Sequence, residues 1–306
     1  IQGILFGPIA FILIPIGCIF AGCVHDYMSG MISIREGGAQ MPSMITKYLG
    51  RKAFPFYNII LCFLLFTTAA VFIYTPGDMI TGQIFHFSID ATSPALWLIY
   101  AVILAYYIIA TLFPIDKIIG RIYPFFGLIL LASTVGIFIA LFSGAYQLEN
   151  LTSANFMGIH PQGLPVIPVL FVTIACGILS GFHATQSTII GRSVTHEKEG
   201  RTTFFNMMLV EGFIAMVWAA AAMGIYQKGV EANLIGTPSV VGLVSRDLLG
   251  NIGGIVAILG VVVLAITSGD TLLRSLRLTI AEYIHLDQKK AKNRLLLTAA
   301  IIIPIL

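Results

Sequence analysis

Val172-Thr173-Ile174-Ala175-Cys176-Gly177-Ile178-Leu179-Ser180-Gly181-Phe182-His183-Ala184-Thr185-Gln186-Ser187 is apolar until Ser180, then packs Ser, Gly, His, Thr, Gln and Ser together before any loop charge. A helix crosses lipid as a run of about 20 apolar residues, because hydrocarbon offers no partner for an unpaired backbone group. Glycine and small hydroxyls at that depth interrupt a helix while its freed N–H and C=O groups find partners or line a cavity. The resumed half-helix would aim bare N–H groups and a positive dipole end at an anion. A second reading stays open, in which Gly177-x-x-x-Gly181 is only a packing face and His183 an interfacial histidine. The first reading predicts a break within two residues of Gly181–His183; the second predicts a continuous helix.

The rest of the chain is of the same kind. Its 306 residues are 58% hydrophobic and 10% charged, with mean hydropathy +0.94. Soluble domains carry roughly 45–50% apolar and about 25% charged residues. Too little charge is present to cover a water-facing surface, which excludes a soluble enzyme, a nucleic-acid binder and a disordered chain. Apolar stretches near 8–33, 55–75, 95–113, 122–143, 165–185, 203–226 and 251–284, with one from about 294, predict eight spans. Met41–Leu49 and Pro238–Leu249 read as short interfacial or re-entrant helices. No basic n-region or cleavage site marks a signal peptide. The whole of 1–306 reads as a single transmembrane domain, incomplete at both ends. Of the 17 Lys and Arg, all but Lys228 and Arg246 fall on one side, in its loops or near the span ends, so the first span is expected to run inward. Cys18, Cys23, Cys62 and Cys176 sit in apolar runs without metal-ligand spacing and read as free buried thiols.

Ionisable residues at membrane depth are costly unless paired or hydrated, which makes them the informative ones. Asp270 and Arg274 are four apart and share a helix face. Thr267, Ser268 and Thr271 add three hydroxyls, so the group reads as a Na⁺ site, as a protonatable Asp, or as a structural ion pair. Glu211 lies mid-span, either protonated for coupling or held in a neutral structural hydrogen bond. His25-Asp26 sits near the inner end of the first span, where Arg35 is the expected partner of Asp26 in a structural pair. Tyr106-Tyr107 and Thr67-Thr68 carry little weight. The absence of H-E-x-x-H, G-x-S-x-G and Walker A patterns speaks against an enzyme. No metal or organic cofactor is expected, only a coupling ion, H⁺ or Na⁺.

Four stretches together resemble the carbon starvation protein A (CstA) family of transporters. They are Thr173-Ile174-Ala175-Cys176-Gly177 leading to Ser180-Gly181-Phe182-His183-Ala184; Ala21-Gly22-x-Val24-x-Asp26-Tyr27 leading to Ser33-x-Arg35-x-x-Gly38; Met208-Leu209-x-Glu211-x-Phe213-x-Ala215; and Thr267-x-x-Asp270-x-x-x-Arg274-x-x-Arg277. After Ala184 the chain departs from the better-known members, with Thr185-Gln186-Ser187 where they carry a Ser/Thr-Gly-Thr-Pro-Lys type segment. The resemblance implies a place near the amino acid–polyamine–organocation superfamily, with a leucine-transporter-like (LeuT) bundle of two inverted repeats. The eight spans would then be core helices two to nine, the fifth of them broken.

The expected function is secondary active import of a small carboxylate-bearing nutrient, with pyruvate, short peptides or amino acids implied by the family. Ser180, Gly181, Phe182, His183, Ala184 and Thr185 are the expected substrate site. Thr267, Ser268, Asp270, Thr271 and Glu211 are the expected ion-coupling set. Asp26, Arg35 and Arg274 are expected in structural ion pairs. The expected partners are the substrate, the cation and the bilayer, with no nucleic acid, and the expected location is a bacterial plasma membrane. A passive channel, or an intramembrane enzyme using His183 and Asp270, are the competing readings.

Overall fold

The computed structural model describes residues 2–112, 115–143, 146–153, 155–156, 160–178, 181–235 and 237–305, with the side chains of 2, 115–122, 172, 176 and 181 left aside. Among the described residues the chain is helical, without a strand. Helix α1 is Gly3–Arg35, followed by α2 at Met41–Leu49, α3 at Ala53–Ile84, α4 at Pro94–Ala110 and α5 at Ile115–Leu141. Then come α6 at Phe171–Ile178, α7 at Gly181–Gly191, α8 at Glu197–Gly224, α9 at Tyr226–Glu231, α10 at Val240–Tyr283 and α11 at Ala291–Ile302.

Proline and glycine shape the long helices. In α1, Pro8 lies in a tight turn at Gly7–Ile9, and Pro15 precedes a widened turn at Cys18–Gly22. A proline removes one N–H from the ladder and crowds the preceding turn, so the backbone changes pitch near it. In α10, Gly250 takes φ +72 and ψ 178, which divides the helix into 240–249 and 251–283. That division falls where the short Pro238–Leu249 piece was expected to end.

The core follows from helical spacing. Leu61, Leu65, Ala69 and Ile73 on α3 recur every four residues and pack with Leu272, Leu273 and Leu276 of α10. On the other side of α3, Phe56, Ile59, Phe63 and Val71 stay exposed. A helix apolar all round, with one face packed and the other open, fits lipid rather than water. Among the described residues, five helical stretches are long and apolar enough to cross a membrane: Gly3–Arg35, Ala53–Ile84, Tyr123–Leu141, Glu197–Gly224 and Val240–Tyr283. Pro94–Ala110 and Val166–Ala175 are shorter apolar helices. The helix from Ala291 has 12 residues. By length and composition, five candidate spans stand among the described residues where the sequence suggested eight. The expected interruption lies within two residues of Gly181–His183; of that window Leu179 and Ser180 lie outside the described residues, while Gly181, Phe182 and His183 lie within helix α7.

Candidate functional site

Helices α1 and α7 meet along a polar seam. The hydroxyls of Ser29 and Ser187 lie 2.7 Å apart, and Ser33 donates to the Ala39 carbonyl at 2.8 Å, with the Thr188 carbonyl at 3.3 Å. Glycine lets the helices come this close: a Cβ on Gly191 would stand 3.3 Å from the Gly30 carbonyl. In lipid, close backbone approach and hydroxyl bonds supply the association that apolar burial gives in water.

This seam brings Asp26, one turn before Gly30, against His183. Asp26 Oδ1 is 2.8 Å from His25 Nδ1, and Oδ2 is 3.1 Å from His183 Nδ1. The side chains of His25, Asp26 and His183 are 27%, 15% and 16% exposed. At 1.5 Å rise per residue, Asp26 lies about 13 Å from the C-terminal end of α1. Glu211 on α8 stands within electrostatic range of both His183 and Asp26. Helix α8 also meets α1 through Cys23, whose Sγ donates to the Phe205 carbonyl at 3.3 Å. Phe205 belongs to the widened turn Arg201–Asn206, where carbonyls lose their ordinary helical partners.

Asp270 belongs to a second cluster. It is 3% exposed and 3.6 Å from Arg274 Nη2, which also donates to the Ala110 carbonyl at 3.1 Å. Tyr106 and Tyr107 lie within electrostatic range of it. The pairing read from the i, i+4 spacing is therefore present. The neighbouring hydroxyls bond along their own helix: Thr267 to the Val263 and Leu264 carbonyls at 3.0 Å, and Thr271 to the Thr267 carbonyl at 3.2 Å. Ser268 reaches toward Tyr123 at 3.4 Å.

The expected substrate residues are distributed as follows. Ser180 lies outside the described residues, and Gly181 begins α7. Phe182 packs against Phe72 with ring centroids 6.3 Å apart, and Ala184 is buried with Met41 and Met44. Thr185 donates to the Phe182 carbonyl at 3.0 Å. With Thr188, Ser275, Thr279 and Gln40 it lines a cavity of about 10 Å³ between α7 and α10, room for about one water.

Arg35 is a correction. It does not pair with Asp26 but reaches Glu197 with Nε and Nη2, each at 3.0 Å. A long side chain at the helix end extends outward to water, and the deeper carboxylate takes the two imidazoles instead. The Asp26–His183 contact joins residues 157 apart in sequence. The only signal available for it was that a carboxylate and two histidines at membrane depth each need a partner.

The CstA carbon starvation protein family model matches residues 4–107 and 75–249. This chain belongs to the CstA family. A membrane protein of Haemophilus influenzae is 41% identical over 273 residues, covering 74% of this chain and 73% of that one. The pyruvate/proton symporter BtsT of Escherichia coli is 33% identical over 84 residues, 27% of this chain and 12% of BtsT. The peptide transporter CstA of Bacillus subtilis is 28% identical over 144 residues, 40% of this chain and 24% of that protein. The chain thus spans well under half of the two relatives whose names state a transported substrate.

Proposed function

We propose that this CstA-family chain is part of a secondary active transporter in the plasma membrane. It imports a small carboxylate-bearing nutrient, such as pyruvate, a short peptide or an amino acid, by ion-coupled alternating access. The observation that carries the reading is a carboxylate held between two imidazoles inside an apolar bundle, with a second acid, Glu211, within electrostatic range. Ionisable groups persist at such depth where charge or substrate must cross. The names of the two distant relatives, a pyruvate/proton symporter and a peptide transporter, support the same class.

In this reading the bundle is LeuT-like, its eight spans are core helices two to nine, and 180–185 contributes half of the substrate site. The space between α7 and α10 holds about one water, so substrate enters only as helices separate, as alternating access requires. Glu211 is the ion-coupling candidate that stands beside the His–Asp cluster, which favours H⁺ over Na⁺. Asp270, which pairs with Arg274, is the second ion-coupling candidate, with Thr267, Ser268 and Thr271 beside it on the same helix. The test offers labelled pyruvate, alanine and dialanine to the full-length protein in proteoliposomes, under an imposed pH or Na⁺ gradient. One of them, chemically unchanged, is expected to be concentrated inside. Equilibration without concentration would make the protein a passive channel, and recovery of an altered compound would make it an enzyme.

A further inference from the structure

We propose that the cluster in which the Asp26 carboxylate is clamped between His25 and His183, with Glu211 within electrostatic range, is the site that carries the coupling proton. This rests on the transporter reading and goes beyond it by naming the cluster that titrates.

The choice of partner is the first argument. A buried carboxylate paired with Arg or Lys is held ionised at every physiological pH. One paired with imidazole is held only while the ring carries the right proton, and imidazole is the side chain whose charge changes near neutrality. Among the described residues, the titratable groups facing Asp26 are His25 and Cys23 on α1, His183 on α7 and Glu211 on α8. Cys18 on α1 in turn faces Glu211. None of these is a permanent cation, since Arg35 is engaged with Glu197.

Tautomer geometry is the second argument. Each Asp26 oxygen meets an Nδ1, 2.8 Å away at His25 and 3.1 Å at His183. The ionised carboxylate accepts from both rings when each bears its proton on Nδ1, which leaves Nε2 as the atom that gains or loses the second proton. The His183 ring also engages the Gly177 carbonyl at the end of α6. Both acceptors are served when that ring carries both protons, and deprotonation releases one of them. Proton occupancy at His183 therefore decides how tightly α7 is tied to α1 and to the end of α6, the helices that flank the expected substrate residues.

Charge balance is the third. A carboxylate substrate brings one negative charge into a region where unbalanced charge is expensive. Two acids and two imidazoles accept one more proton with only an N–H or O–H bond made. The proton is taken from outside water as the substrate enters and is returned to inside water as it leaves. One carboxylate and one proton cross together, with no net charge moved for a monocarboxylate.

The experiment uses full-length protein in proteoliposomes, with labelled pyruvate as the probe and trapped pyranine reporting internal pH. The unmodified protein should bring in one proton per pyruvate. Asp26→Asn removes the charge and keeps the size; it should still exchange labelled for unlabelled pyruvate, at a reduced rate, while accumulation under a pH gradient falls to the bath concentration. His183→Gln, read in the same way, should also uncouple. Gradient-driven accumulation at the unmodified level in Asp26→Asn overturns the proposal. So does Na⁺-dependent uptake by the unmodified protein with no proton entry, which stands even if neither variant folds. Absence of any saturable uptake of pyruvate, alanine or dialanine by the unmodified protein would instead overturn the transporter reading on which the site rests.

Discussion

At the scale of single residues, the consequence of the Asp26 contacts is that His183 cannot be removed cheaply. His183→Ala leaves one carboxylate oxygen of a largely buried acid without its donor, at a cost of about 1–3 kcal/mol. Uptake should fall at least about tenfold, with the protein still monodisperse in detergent; intact uptake would leave binding to hydroxyls and backbone alone. A different outcome is expected outside the membrane. There the Lys47 ammonium and the Tyr48 hydroxyl hold the Glu36 carboxyl below the usual carboxylate range. A lowered carboxylate pKa gives a tie that is complete above the ordinary Glu range and is lost only as pH falls through the lowered value. Between roughly pH 5 and 8 that tie is constant, so Glu36→Gln should leave the shape of the uptake–pH profile unchanged. A profile flattened by Glu36→Gln would move pH sensing away from the histidines. Asp270–Arg274 was legible because four residues make one helical turn. Asp26–His183 was not, because spacing within one helix carries no information about a partner 157 residues away.

At the scale of elements, glycine decides where helices bend and how closely they pack. Gly250 lies at φ +72 and ψ 178, and a Cβ added there would meet no neighbouring atom within 4 Å. Gly250→Ala meets no clash, only a backbone conformation that L side chains rarely adopt, at about 1–3 kcal/mol. A lower thermal midpoint is the expected result, and an unchanged midpoint would mean that the division of α10 is not held in solution. Gly30 faces the Phe204 ring so closely that a Cβ would stand 2.5 Å from it. Gly30→Leu should push α8 off α1 and cost about 1–3 kcal/mol by overpacking, read in the same melting experiment. Some of this scale could be read from sequence: the short helix Met41–Leu49 and the short piece before residue 250. The widened turn at Arg201–Asn206 could not, because no proline or glycine within it marks the change of hydrogen-bond register.

At the scale of the whole molecule, the hydropathy and the one-sided distribution of Lys and Arg describe a membrane bundle before any contact is known. The two basic residues on the sparse side are both engaged: Lys228 with Asp247, and Arg246 with the Gln83 carbonyl. Span number was less legible. Composition cannot tell one long bent helix from two short ones, and α10 is both. What composition cannot supply at all is the purpose of the buried charge, and there the seam between α1 and α7 matters most. It places a titratable cluster inside an apolar bundle, where a proton can offset the charge of a carboxylate crossing with it. The most direct test is the steady-state ratio of internal to external labelled pyruvate in proteoliposomes carrying the full-length protein, with the interior made alkaline. The account predicts a ratio well above one that collapses to one on adding a protonophore. A ratio that settles at one with the gradient intact would contradict it.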